Sequence, residues 1–318
     1  MEVAGAVKIY KLLAVMLAVA ALAAGCGQEE RSGRETQTEE TGGGGSSEQA
    51  GQTETAEEAA DMTDGETVTN ASLPEELAQI PREYIEESDS PGTLVELTYD
   101  TYESMSYEEQ DQVLKKRAIV YLPYGYSEDE QYNVFYLMHG GWSNETTYLG
   151  TPERPNEFKN VLDNGIADGK IRPMIVVCPT YNNESESDSS SYSLALRLTE
   201  NYHNELLGDL IPAVEGTYST YAEDTTAEGI RASRDHRAFC GFSMGSVATW
   251  RTFQCCLDDF RYFLPSSGSL TADGEDGTFR YANNEKEGNL YFLEQEGGTH
   301  NGDYAMEYFY NGLCWIWQ

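Results

Sequence analysis

The sequence predicts an α/β domain built on a mostly parallel sheet with helices on both faces. Three observations carry that expectation. From about Thr93 to the C-terminus, short apolar or β-branched runs alternate with segments of helical spacing, as strands joined by crossover helices require. Met174–Cys178 (Met-Ile-Val-Val-Cys) is apolar without a break, which suits a strand buried on both faces. Aromatics make up 11% of the 318 residues, too many for a disordered chain and enough for a sizeable core.

In chain order, the first element is an address. Lys8 and Lys11 precede an almost unbroken apolar run from Leu12 to Ala24. That run is too short to span a membrane comfortably and has the form of a signal-peptide core. Leu22-Ala23-Ala24-Gly25-Cys26 resembles the lipobox of bacterial lipoproteins. The resemblance implies that residues 1–26 are a lipoprotein-type signal, that Cys26 carries lipid, and that the secreted chain is anchored to the outer face of the bacterial cell membrane. Residues 27–90 are rich in Glu, Thr, Gly and Ser. With few periodic apolar residues they cannot offset their ordering entropy, and a flexible acidic tether is expected. The folded domain is expected over 91–318.

Within it, strands are expected at Arg117–Pro123 and Tyr132–Met138, from their apolar, β-branched and aromatic content, and at Met174–Cys178. A helix is expected over Leu194–Tyr218, where Leu206, Leu207, Leu210, Ile211 and Val214 share one face. Then come a strand at Arg237–Phe242, a helix at Met244–Cys256, strands at Tyr262–Pro265 and Asn289–Gln295, and a closing amphipathic helix at Asp303–Trp317.

Charge narrows the function classes. Lys and Arg number 20 against 55 Asp and Glu, a net charge of −35. The acidity is distributed, with −15 over residues 27–90 and −21 from residue 91 onward. Affinity for a phosphate backbone comes from Lys and Arg, so no nucleic-acid partner is expected. The same charge argues against a polybasic membrane-surface binder, leaving the lipid as the expected membrane link. Beyond Cys26 stand Cys178, Cys240, Cys255, Cys256 and Cys314. Their odd number and irregular spacing form neither a disulfide framework nor a zinc site, so buried free thiols and no metal are expected.

The chemistry is expected at the carboxyl end of the sheet. Gly241-Phe242-Ser243-Met244-Gly245 fits G-x-S-x-G and falls between an expected strand and an expected helix, the context of a nucleophile elbow. Glycine is needed on either side, because side chains there would collide with neighbouring backbone. The helix N-terminus behind Ser243 favours developing negative charge. Ser246 reads as a small residue for close helix packing. His139-Gly140-Gly141-Trp142 follows the strand Tyr132–Met138. A glycine-rich turn there can aim a backbone amide, Gly141, at an oxyanion whose other donor is Met244 N–H. His139 itself reads as structural. Of the other histidines, His203 lies on a polar helical stretch and is expected to be exposed. His236 precedes the elbow strand, at the wrong end of the sheet. His300 follows the last strand and comes after Ser243, so it is the candidate base.

His139-Gly140-Gly141, Ser233-Arg234-Asp235-His236-Arg237-Ala238, Gly241 to Ser246, and Gly288 through His300 resemble the esterase D-like α/β-hydrolases. More narrowly, they resemble bacterial feruloyl and acetyl-xylan esterases of carbohydrate esterase family one, over about Val95 to Gln318. The resemblance implies an α/β-hydrolase fold, Ser243 as nucleophile, His300 as base, and Met244 with Gly141 as oxyanion hole. It also implies an acylated carbohydrate or small ester as substrate, without metal or organic cofactor.

One departure bears on the mechanism. Relatives place a further strand, ending in the triad acid, between the strand at Tyr262–Pro265 and that at Asn289–Gln295. Here Ser266 to Asp273 runs almost directly into Gly277–Tyr281, too short for another βα unit of roughly 30 residues. The usual acid therefore has no counterpart. Asp273 is the first substitute and Asp276 the second. Without the inserted strand, Asn289–Gln295 is expected to pair beside Phe260–Pro265, with His300 still facing Ser243 and its acid partner imperfect or absent. Three readings stand: a serine carboxylesterase, a catalytically impaired hydrolase-fold lipoprotein that binds carbohydrate, and an acyltransferase using the same site.

Overall fold

The computed structural model describes residues 76–268, 291 and 293–318. The signal segment, Cys26, the tether as far as residue 75, and both Asp273 and Asp276 lie outside the described residues.

A short 3₁₀ turn, Arg82–Ile85, leads into β1 (Thr93–Thr101), β2 (Leu114–Leu122) and β3 (Asn133–Met138). A two-residue hairpin follows, β4 (Gly150–Thr151) with β5 (Arg154–Pro155), then α1 (Glu157–Ala167) and β6 (Met174–Cys178). Next come α2 (Tyr192–Glu205), α3 (Ile211–Glu215), α4 (Ala227–Ala232), β7 (Arg237–Phe242), α5 (Met244–Cys255), β8 (Tyr262–Ser266) and α6 (Gly302–Trp315). The six-stranded sheet runs β1-β2-β6-β3-β7-β8. β1 and β2 are antiparallel to their neighbours, whereas β6, β3, β7 and β8 run parallel. The expected mostly parallel sheet with helices on both faces is the architecture observed.

Two apolar layers follow from the period of two along each strand. On β3, Val134, Tyr136 and Met138 join Leu198, Tyr202, Leu210, Phe239 and Phe260 on one face. Phe135 and Leu137 point the other way, against Phe158, Leu162, Val176, Phe309 and Leu313. Helices α2 and α5 thus cover one face, and α1 and α6 the other.

Ion pairs buried in this core are backed by further hydrogen bonds. Lys116 Nζ lies 2.7 Å from Glu205, which also accepts from Tyr99 and Ser104. Arg237 grips Glu215 at 2.5 and 3.0 Å and donates to the carbonyls of Ile230 and Asp259. A buried ion pair needs such additional hydrogen bonds to offset its desolvation. This second cluster fixes the start of β7, the end opposite Ser243.

Several expectations are corrected. Residues 27–90 are not tether throughout, because Ala78 exchanges hydrogen bonds with Asn311 (2.9 and 2.8 Å) and Tyr84 is buried, donating to Asp168 at 2.7 Å. The single helix over Leu194–Tyr218 is broken by a π-helical turn, Leu206–Leu210. Pro212 in the next turn lacks an N–H and would crowd the carbonyl four residues back, and the wider turn relieves this. No strand forms at Tyr291 or Leu293–Gln295, the described part of Asn289–Gln295. Instead Gln295 N–H donates to the Tyr308 hydroxyl at 3.1 Å, tying the segment to α6. Cys178, Cys240 and Cys256 are buried free thiols as expected, but Cys255 is exposed and Cys314 half-buried. His203 is half-buried, and burial lowers its pKa.

Candidate active site

β7 ends at Phe242 and α5 begins at Met244, so Ser243 occupies the turn between them. Its backbone, φ 59° and ψ −117°, is rare for a residue with a side chain. Both flanking glycines are required by their surroundings. A Cβ on Gly241 would overlap the Gly245 backbone, and one on Gly245 would overlap Met138 O and lie 2.7 Å from His139 O. The turn is held from the neighbouring strand by Ser243 N–H donating to Ser266 O at 3.0 Å. Ser246 is fully buried behind it, as its expected packing role demands.

His300 reaches this turn from the loop before α6. Its Nε2 lies 2.9 Å from Ser243 Oγ, and its exposed ring stacks on Phe242 at 4.5 Å between centroids. The loop is tied at both ends. Gly297 adopts φ 74°, and Gly298 N–H returns to Gln295 O at 3.1 Å. Asn301 then caps α6 by accepting from Asp303 N at 2.6 Å and from Tyr304 N at 3.4 Å.

The other ring nitrogen, Nδ1, meets no carboxylate among the described residues. Its partner is the Ser267 hydroxyl, at 2.9 Å. Ser267 was not singled out from the sequence. Its only signal there was its place at the carboxyl end of the strand after the elbow strand.

The glycine turn lies against the nucleophile, for a Cβ on Gly140 would sit 3.3 Å from Ser243 Cβ. The Gly140 carbonyl accepts from Tyr181 OH at 2.9 Å and from His139 Nδ1 at 2.7 Å. In a trans peptide the next N–H points the opposite way, so Gly141 N–H faces away from that buried pair. Trp142 N–H is engaged by Ser189 O at 3.0 Å, whereas among the described residues neither Gly141 N–H nor Met244 N–H has a partner. Met244 N–H also stands at the first turn of α5, where amides lack intrahelical acceptors.

His139 orients that turn and is structural, as expected. Its Nδ1 carries the proton, since Gly140 O can only accept, so Nε2 accepts from Thr180 Oγ1 at 2.7 Å. Burial pushes its pKa down to about 4, keeping the ring neutral. His236 lies at the other end of the sheet, stacked 3.5 Å from Tyr221 and bonded to Asn133. The described residues contain no cluster of His, Cys, Asp and Glu able to hold a metal.

A mostly parallel sheet, a serine on a strained strand-to-helix turn and a histidine from the last loop define an α/β-hydrolase of the esterase type. Residues 114–253 match the family Esterase, described as "Putative esterase". The chain is 35% identical over 245 residues to endo-1,4-beta-xylanase Y of Acetivibrio thermocellus, covering 62% of this chain but 21% of that protein. It thus spans about a fifth of that relative's length. The solved feruloyl esterase module from Clostridium thermocellum, a serine-to-alanine mutant complexed with sinapinate, superposes with a TM-score of 0.63 at 30% identity, over 76% of this chain and 94% of that one. A CE1 ferulic acid esterase from Anaeromyces mucronatus shares the fold, with a TM-score of 0.51 at 19% identity over 74% of this chain and 94% of that one. The chain belongs to the esterase family of α/β-hydrolases, together with that feruloyl esterase module.

Proposed function

We propose that the protein is a serine carboxylesterase hydrolysing acyl esters, feruloyl or acetyl groups on plant-wall polysaccharide being the substrates most in keeping with its relatives. The observation that carries this reading is the 2.9 Å contact between His300 Nε2 and Ser243 Oγ at a strained elbow. In this reading Ser243 is the nucleophile, His300 the base, and Met244 and Gly141 supply the amides that meet the oxyanion. Trp142, 73% exposed one residue beyond Gly141, offers an indole face at the rim for a flat acyl or sugar ring. The preceding segment completes the reading, with Cys26 as lipid anchor and the acidic stretch as tether.

Purified protein should hydrolyse methyl ferulate or a chromogenic acetyl ester, and Ser243→Ala should lower kcat at least about 1,000-fold. A serine-directed fluorophosphonate should add to Ser243, as read by intact-protein mass spectrometry. A folded protein that neither turns over ester nor takes the label would refute the reading. A second reading, a slow or impaired site, is favoured by one observation: among the described residues the Nδ1 partner is a hydroxyl, not a carboxylate.

A further inference from the structure

We propose that Ser267 is the residue that positions His300, standing where a Ser/His/Asp site has its carboxylate. The inference rests on reading Ser243 and His300 as nucleophile and base.

Ser267 is held in fixed relation to the nucleophile by three features. β8 pairs with β7 up to Phe242↔Ser266, so Ser267 follows the last paired residue. Ser243 N–H donates to the carbonyl of Ser266 at 3.0 Å. Gly268, on the other side, packs so closely that a Cβ there would overlap Ser243 O and lie 2.5 Å from Ser246 Cβ. Between these contacts Ser267 adopts φ 52°, in the left-handed region that non-glycine residues seldom enter. Such a conformation persists only where the surroundings over-determine it. With this backbone, Ser267 Oγ lies 2.9 Å from His300 Nδ1.

A hydroxyl can do part of a carboxylate's work. Its oxygen accepts Nδ1–H, which leaves the lone pair of the neutral imidazole on Nε2, facing Ser243 Oγ. In acylation, Ser243 Oγ bonds the acyl carbon while its proton moves to Nε2 and the carbonyl π pair moves onto oxygen. Collapse re-forms the carbonyl and expels the alcohol, which takes the Nε2 proton. Water then repeats both steps to release the acid. Nδ1–H stays on Ser267 throughout. What the hydroxyl itself does not supply is negative charge beside the imidazolium.

The test compares the wild-type domain with Ser267→Ala and Ser267→Asp. Asp is among the residues best tolerated at positive φ, and each variant's fold is checked by thermal melting. Acetyl-ester turnover and the 15N imidazole shifts of His300, assigned with His300→Gln, are the two readouts. Ser267→Ala should lower kcat about 10-fold with KM within about 2-fold, and should shift neutral His300 toward the Nε2–H tautomer. Ser267→Asp should retain the Nδ1–H tautomer and raise kcat about 10-fold, a gain that a purely structural serine would not yield. Should Ser267→Ala fail to fold, Ser267→Asp carries the test alone. Equal kcat and an unchanged His300 tautomer in the folded variants would overturn the inference. Tautomer changes as expected, but with no Ser243-dependent turnover in any protein, would overturn the esterase reading and leave the Ser267–His300 contact standing.

Discussion

His139 sits beneath the glycine turn with both ring nitrogens bonded and its pKa lowered to about 4. Because the folded value lies below the ordinary one of about 6.5, the unfolded chain binds the proton more tightly. The stability this ring contributes is therefore present above about pH 6.5 and is lost progressively as the pH falls toward 4. Between pH 7 and pH 5 the loss is on the order of 2 kcal/mol. Urea titrations should show wild type losing about 2 kcal/mol more than His139→Gln over that interval, and equal losses would show that the ring protonates freely in the fold. At this scale the sequence was most legible where one residue type alone fits. Gly241 and Gly245 were readable because a side chain at either would meet neighbouring backbone, and Ser243 was readable as the residue between them. His300 was readable from chain order alone, since the strand expected before it does not form at Tyr291 or Leu293–Gln295. Ser267 was not, since a hydroxyl partner to a histidine depends on a 2.9 Å approach between residues 33 apart, and no local pattern encodes it.

Among the elements, β6 and β7 were legible to the residue, because short, largely apolar runs bounded by turn residues have the length of buried strands. α1 was missed although Phe158, Val161 and Leu162 carry helical spacing, because the stretch also holds Asn160, Asp163 and Asn164, which favour turns. β1 was missed because its solvent-facing positions are polar and its pairing with β2 is long-range. The N-terminal segment was misjudged for a similar reason. Ala78 to Ile85 is short, with one acid and one base and little periodic apolar content, and it is held mainly by docking onto α1 and α6. Tyr84 meets Tyr310 edge-on at 6.1 Å and donates to Asp168, while Asn311 holds both backbone groups of Ala78. Burial of one tyrosine and these three hydrogen bonds gives about 3 kcal/mol. A chain starting at residue 91 should therefore unfold at lower urea than one starting at residue 76, with ΔG reduced by about 3 kcal/mol. Coincident unfolding curves would show that the docking contributes nothing.

For the whole molecule, charge decides what can hold it to a membrane. A net charge of −35 is repelled by the anionic lipids of a cell membrane. Among the described residues no helix is long and apolar enough to cross one. In the proposed reading attachment rests on the lipid at Cys26, each buried methylene contributing about 0.8 kcal/mol and two or more chains being needed for stable anchoring. This separates lipid anchoring from electrostatic adsorption by salt as well as by mutation. Expressed in a bacterial host, the protein should remain with the membrane fraction through a 1 M salt wash, roughly where the Debye length falls to 3 Å and surface attraction is gone. Cys26→Ala should release it to the soluble fraction or leave it as an unprocessed precursor of higher mass. A fully processed Cys26→Ala protein that still partitions with membranes would overturn anchoring through this residue. Release of the wild type by salt would instead point to adsorption, which its charge argues against.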